Sequence, residues 1–174
     1  MSGQAGRYQR SAAGMIGAML VLVAGIFAFV LLRDINREVP GSPVKAVDYS
    51  RTAAYAEEQA SFDVLAPDEL PEGWKATTVE FVVDPARWHL GVLTDQGNYV
   101  GLEQADSSVE SMVSTYVDPA ANRGKPVTIE GQAWISWSDS GGDTALVRRA
   151  GHVTTLVVTT ADEDVLVDYI ESLR

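Results

Sequence analysis

Two histidines, His89 and His152, are the only imidazoles in the chain, and cysteine is absent. The missing thiols exclude disulfides, thiolate metal sites and a cysteine nucleophile. Each histidine falls inside a strand candidate without a carboxylate or a second histidine at ligand spacing, so neither is expected to hold a metal. His89 alternates with Trp88 and Leu90 and is expected to point away from them, toward solvent. No Gly-x-Ser-x-Gly elbow, His-Glu-x-x-His helix, phosphate-binding loop or dinucleotide fingerprint occurs. Asp139-Ser140-Gly141-Gly142-Asp143 sets two carboxylates around glycines, as a calcium clasp would, but lacks the alternating oxygen ligands and closing glutamate of an EF-hand. A hairpin turn accounts for the same letters. Asp162, Glu163 and Asp164 are acids in a helix's first turn, where the helix dipole favours them. Glu80, Glu103, Glu130 and Asp139 remain as carboxylates for an unfamiliar site, and none is singled out as catalytic. Trp134 and Trp137 are three apart, so on one continuous strand they face opposite ways. One of them, if exposed, offers a surface for a peptide, glycan or lipid, and core packing is the other role. Trp134, Trp137 and His89 are therefore the candidate binding surface, with no catalytic, cofactor-binding or metal-ligating residue expected.

The elements that must position these residues follow from periodicity. Tyr49, Ala53, Ala56 and Ala60 share one helical face. Phe62 to Leu65 is a short apolar run, and Pro67 to Gly73 is turn-rich. A strand is predicted from Trp74 to Val83, with Val79, Phe81 and Val83 alternating with their neighbours. Asp95-Gln96-Gly97 joins two strands into a hairpin in which Trp88, Leu90 and Val92 share a face with Val100 and Leu102. Ser107-Ser108-Val109-Glu110 fits a capping box, and Val109, Met112, Val113, Tyr116 and Val117 recur at helical spacing until Pro119. Val127 to Trp137, bending near Gly131, then Thr144 to Arg149 and His152 to Thr159 are predicted to form an antiparallel meander. Thr160-Ala161-Asp162-Glu163 repeats the capping box before an apolar face of Val165, Leu166, Tyr169, Ile170 and Leu173. Hairpins in place of βαβ crossovers predict an α+β domain, a mainly antiparallel sheet with helices packed on one face.

Ahead of this domain, residues 12–32 run for 21 residues without a charge, and a helix of that length spans about 31 Å, the thickness of a hydrocarbon core. The expected layout is a cytoplasmic stub at 1–11, a transmembrane helix at 12–32, a Pro- and Gly-containing tether at 33–47 and an extracytoplasmic domain at 48–174. Arg7 and Arg10 before the apolar run suggest an uncleaved signal anchor, N-terminus inside, in the plasma membrane. Gly14 and Ala18, and Ala24 and Ala28, have the four-residue spacing of small residues that lets membrane helices approach. From Glu38 onward stand 9 basic and 23 acidic residues, a formal charge of −14. Such a domain repels phosphate backbones, which argues against a nucleic-acid partner.

Several strings can then be read together: Phe62-Asp63-Val64-Leu65-Ala66-Pro67, Leu70-Pro71-Glu72-Gly73-Trp74, Trp88-His89-Leu90-Gly91 and Tyr99-Val100-Gly101-Leu102-Glu103-Gln104. With Arg7-Tyr8-Gln9-Arg10-Ser11 and Gly14-Met15-Ile16-Gly17-Ala18-Met19, the chain resembles the actinobacterial membrane-anchored family called domain of unknown function 4245. The resemblance implies an actinobacterial cell-envelope protein and carries no activity. A looser likeness of layout is to small extracytoplasmic domains of bacterial envelope-stress and sporulation regulators, and such likeness does not transfer function. The function expected is a non-catalytic interaction or sensing module of the envelope, without cofactor and with an envelope protein as its expected partner. The alternative is a carrier or chaperone holding a lipid or other apolar ligand between sheet and helices.

Overall fold

A computed structural model describes residues 17, 19, 21–23, 25, 26 and 45–174. The chain divides into two units, Met1–Pro43 and Val44–Arg174. In the first, the seven described residues are helical. A helical membrane crossing takes about 20 consecutive, predominantly apolar residues. Among the described residues no helix is long and apolar enough to cross a membrane. The expected single-pass architecture is corrected accordingly, and with it the attachment through 12–32, the plasma-membrane placement and the membrane-anchored module. Most of 12–32, the stub at 1–11, residues 33–44 of the tether, and Gly14, Ala18, Ala24 and Ala28 lie outside the described residues.

The second unit is built on α1 (Ser50–Gln59), β1 (Lys75–Val83), β2 (Ala86–Leu93), β3 (Tyr99–Ala105), α2 (Val109–Tyr116), β4 (Asn122–Ile129), β5 (Gln132–Ser138), β6 (Thr144–Ala150), β7 (Val153–Thr159) and α3 (Glu163–Glu171). The seven strands form one sheet in the order β1-β2-β3-β7-β6-β5-β4, and every pairing is antiparallel. The alternation read from the sequence places Trp88, Leu90, Val92, Val100 and Leu102 on one face, all fully buried. Helix α3 lays Leu166, Tyr169 and Ile170 on that face, and α1 adds Ala56. Trp74 stacks on Tyr169 at 6.1 Å.

Helices do not share a single face, as had been expected. Met112 and Val113 of α2 pack with Ala145, Val147, Leu156 and Val158 on the opposite side of the sheet. The two faces of β6 and β7 are both apolar, with β7 buried along its whole length, and each therefore takes a helix.

Other boundaries move for local reasons. Phe62 to Leu65 joins no strand. Its backbone is held by side chains instead: Gln104 accepts from the Leu65 N–H at 2.7 Å and donates to the Asp63 carbonyl at 3.1 Å, and Trp88 Nε1 donates to the Leu65 carbonyl at 2.9 Å. The long strand expected to bend near Gly131 is a hairpin, β4 and β5, turned by Glu130 and Gly131 at φ of 48° and 76°. Ser108, not Ser107, caps α2, its Oγ accepting from the Ser111 N–H at 3.1 Å. Asp162 precedes α3, while Thr160 Oγ1 accepts from the Tyr99 N–H at 3.2 Å. Asp139 closes its loop as a turn, its Oδ1 accepting from the Gly142 and Asp143 amides at 2.8 Å each.

The interface between the sheet and α1 and α3 is filled by side chains such as Trp88, Leu90, Leu166 and Tyr169. An opening beside Leu65, Trp134 and Leu173 holds about 90 Å³. Ligand pockets run from about 300 Å³ upward, so the expected apolar carrier site between sheet and helices is also corrected.

Candidate functional site

Helix α2 packs over β6 and β7. On that same side of the sheet, β1, β2 and β3 carry Thr78, Glu80, Arg87, His89, Gly91, Tyr99, Gly101 and Glu103, as their cross-strand pairing requires. Thr78, Glu80 and Arg87 are exposed. The face is largely polar because alternation puts Trp88, Leu90, Val92, Val100 and Leu102 on the other side, leaving Leu93 and Tyr99 as the large apolar residues that β2 and β3 contribute to it.

Tyr99 occupies the centre. A Cβ added at Gly101 would come within 2.9 Å of Tyr99 Cε1, and one added at Gly91 within 3.2 Å of Cε2. The two edges of the ring rest at similar heights over two paired glycines, so the ring lies flat on the strands. Gly91 and Gly101 sit directly opposite each other, and only residues without a side chain leave that space. Burial, with Glu103 close by, pushes the phenol up to about 12.

Beside the ring runs a hydrogen-bonded row. Glu103 is buried, and its Oε1 lies 2.5 Å from His89 Nδ1. His89 Nε2 lies 2.9 Å from Thr78 Oγ1. A carboxylate accepts only, so Nδ1 carries the proton, and in the neutral ring Nε2 is the acceptor for the Thr78 hydroxyl. The hydrogen bond to Glu103 raises the His89 pKa above its ordinary value, reinforced by the charges of Glu103 and Glu80 and opposed by burial and Arg87. The second carboxylate oxygen, Glu103 Oε2, is buried without a partner. Tyr116 of α2 stands near Glu103, its phenol raised first by burial and then by the Glu103 charge. Arg87 reaches Glu80 at 3.8 Å, an exposed pair of small energetic weight. A cleft of about 410 Å³ opens between Arg87 and Tyr116, floored by Ala105 and Met112.

The sequence expectation for His89 is half met. It does face away from Trp88 and Leu90, but a carboxylate stands beside it, supplied by the neighbouring strand and not by nearby residues in the chain. Trp134 and Trp137 do not join it. Trp134 is buried on the α3 face with Arg148 over its ring at 5.4 Å. Trp137 lies on the α2 face but on β5, partly buried against the cluster of Val147 and α2. Thr78, Tyr99 and Glu103 were not read as a unit. Asp95, Asp162, Glu163 and Asp164 line a different cleft of about 580 Å³. Among the described residues no group of three carboxylates, histidines or cysteines is placed to hold a metal.

The aromatic and glycine positions of this face fall in the Tyr99–Gln104 and Trp88–Gly91 strings that carried the family resemblance. A family model described as a protein of unknown function, DUF4245, matches residues 7–173. The chain belongs to that family. No curated protein matches it. DUF4245 membership thus covers both units and attaches no chemistry to the Tyr99 face, which has to be read from its geometry.

Proposed function

We propose that the face of β1, β2 and β3 on the α2 side binds a neutral glycan. The observation that carries this is the Tyr99 ring lying flat over Gly91 and Gly101 beside the Thr78–His89–Glu103 row. A sugar ring presents a face of C–H groups and a rim of hydroxyls. A flat aromatic ring suits the first, since its face is apolar and electron-rich. Thr78, Glu80, Arg87 and His89 around it offer donors and acceptors for the second. Open antiparallel strands keep these groups in one plane on a rigid support, and the cleft beside Arg87 extends the surface. The formal charge of −14 over residues 38–174 disfavours phosphorylated or uronic-acid polymers and leaves neutral ones. This site differs in place and chemistry from an apolar cavity under the helices.

Affinity electrophoresis of the full chain through gels holding mannan, hydroxyethyl cellulose or glycol chitin tests the reading, with Tyr99→Ala run alongside. Retardation by at least one polysaccharide, lost in Tyr99→Ala, is expected. Equal migration of both proteins in all three gels would overturn it. An actinobacterial source is part of the same proposal, supported by the Leu70-Pro71-Glu72-Gly73-Trp74 and Trp88-His89-Leu90-Gly91 strings. A survey of which genomes encode the two strings together checks it.

A further inference from the structure

The row beside Tyr99 has the connectivity of an activated nucleophile: a hydroxyl on the outer nitrogen of an imidazole whose inner nitrogen is held by a buried carboxylate. Thr78 Oγ1 lies 2.9 Å from His89 Nε2, and His89 Nδ1 lies 2.5 Å from Glu103 Oε1. These are the roles of nucleophile, general base and orienting group, which unrelated folds assemble by geometry and not by sequence order. We propose that Thr78 is an acyl-accepting nucleophile, activated by His89 and Glu103, that takes the acyl group of an activated ester. This inference stands independently of glycan binding.

Three features support it. Thr78 is exposed on an edge strand, so an acyl donor reaches it from solvent. Thr78 and Thr77 stand together opposite Gly91 where the register of β1 slips between Ala76 and Thr78. That irregularity separates their fates: Thr77 Oγ1 donates to the Gly91 carbonyl at 3.1 Å, while Thr78 turns to the imidazole. Gly91 is the third feature, because a Cβ there would come within 2.2 Å of Thr78 Oγ1. The hydroxyl occupies space that any other residue type would fill.

The step balances without an outside oxidant or reductant. Thr78 Oγ forms a bond to the carbonyl carbon as its proton passes to His89 Nε2, with the Nδ1 proton remaining shared with Glu103. The bond from the carbonyl carbon to the leaving oxygen breaks, and the phenolate departs with that electron pair. The imidazolium then returns its proton to solvent or to the leaving group. A threonine ester and a phenol are the products. Activated esters are the donor class because a phenolate leaves without a second acid.

The charged groups acting on His89 are Glu103 on β3, Glu80 on β1 and Arg87 on β2, with Tyr99 on β3 and Tyr116 on α2 close to Glu103, so its protonation reports the combined field of Glu103, Glu80 and Arg87. The test uses the full chain with p-nitrophenyl acetate, followed by intact mass and peptide mapping. A single acetyl group on the peptide holding Thr78 is expected, forming faster as pH rises through the His89 titration measured by NMR on the same protein. Thr78→Val should lose it, His89→Asn should slow it at least tenfold, and Thr77→Val should leave it unchanged. Acetyl confined to lysines, or acetyl on Thr78 with no dependence on the His89 titration in the unsubstituted protein, would overturn the proposal. The second readout needs no variant, so a poorly folding His89→Asn does not leave the question open.

Discussion

His89 on β2 and Glu103 on β3 face each other across one rung of the sheet, and their side chains meet at 2.5 Å on the side away from the main core. A buried carboxylate is costly unless paired, and this one has one oxygen on His89 and the other without a partner. Among the described residues Glu103 is the one ionisable carboxylate that is buried, the other buried polar side chains being threonines and Gln104, and departures of that kind gather at functional sites.

The pairing makes stability depend on pH. The His89 pKa is raised in the folded chain, so its contribution is fully present below the unfolded value of about 6.5 and is lost as pH rises through the higher folded value. Urea midpoints of the unsubstituted chain and His89→Gln, measured from pH 5.5 to 8.5, should differ most at the acid end and converge toward the alkaline end. A gap that widens with pH would contradict the ion pair.

Much of this arrangement was legible in the sequence, and the part that was not has identifiable causes. Every rung between β2 and β3 is symmetric about Gln96, from Arg87 with Ala105 to Leu93 with Tyr99. The turn at Asp95-Gln96-Gly97 was recognised, and folding the strands about its centre would have set His89 opposite Glu103 and Gly91 opposite Gly101. The two side chains are neighbours across the hairpin and not along the chain, so spacing in sequence does not reveal the pair. Thr78 is different: its place depends on the slip in β1 after Ala76, which no periodicity announces. The side taken by α2 is likewise a tertiary matter, because the apolar stripe of Met112, Val113 and Tyr116 fits either face of a sheet whose inner strands are apolar on both. Trp134 and Trp137 were correctly set on opposite faces, yet the break at Glu130 and Gly131 puts them on a separate strand far across the sheet from His89.

Gly101 should tolerate no side chain. A Cβ there would meet the Tyr99 hydroxyl at 2.8 Å and Cε1 at 2.9 Å, forcing the ring off the strands. Gly101→Ala is expected to cost about 1–3 kcal/mol, the usual range for overpacking, and to abolish retardation by polysaccharide. Chemical denaturation together with affinity electrophoresis checks both. A variant of unchanged stability that still binds would show that the ring does not depend on the bare strand beneath it.

Trp88 anchors the opposite face. It is fully buried, and its Nε1 holds the irregular segment at Leu65. Trp88→Ala should destabilise by about 3–5 kcal/mol, as large aromatic truncations in cores do. Trp88→Phe should cost less while leaving the Leu65 carbonyl without its donor. Hydrogen exchange should then show the amides of Asp63 to Leu65 opening ahead of the sheet in Trp88→Phe. Protection of that segment unchanged from the unsubstituted chain would mean that the Gln104 bonds alone hold it.

The central claim, that the Tyr99 face recognises a neutral glycan, is tested most directly by NMR titration of the isotopically labelled full chain with mannohexaose, cellohexaose and chitohexaose. The account predicts saturable shifts from at least one of them, confined to Thr78, Glu80, Arg87, His89, Gly91, Tyr99 and Gly101. It also predicts their loss in Tyr99→Ala with the rest of the spectrum intact. Shifts centred on Trp137 and α2, or no shift from any of the three at millimolar concentration, would contradict it.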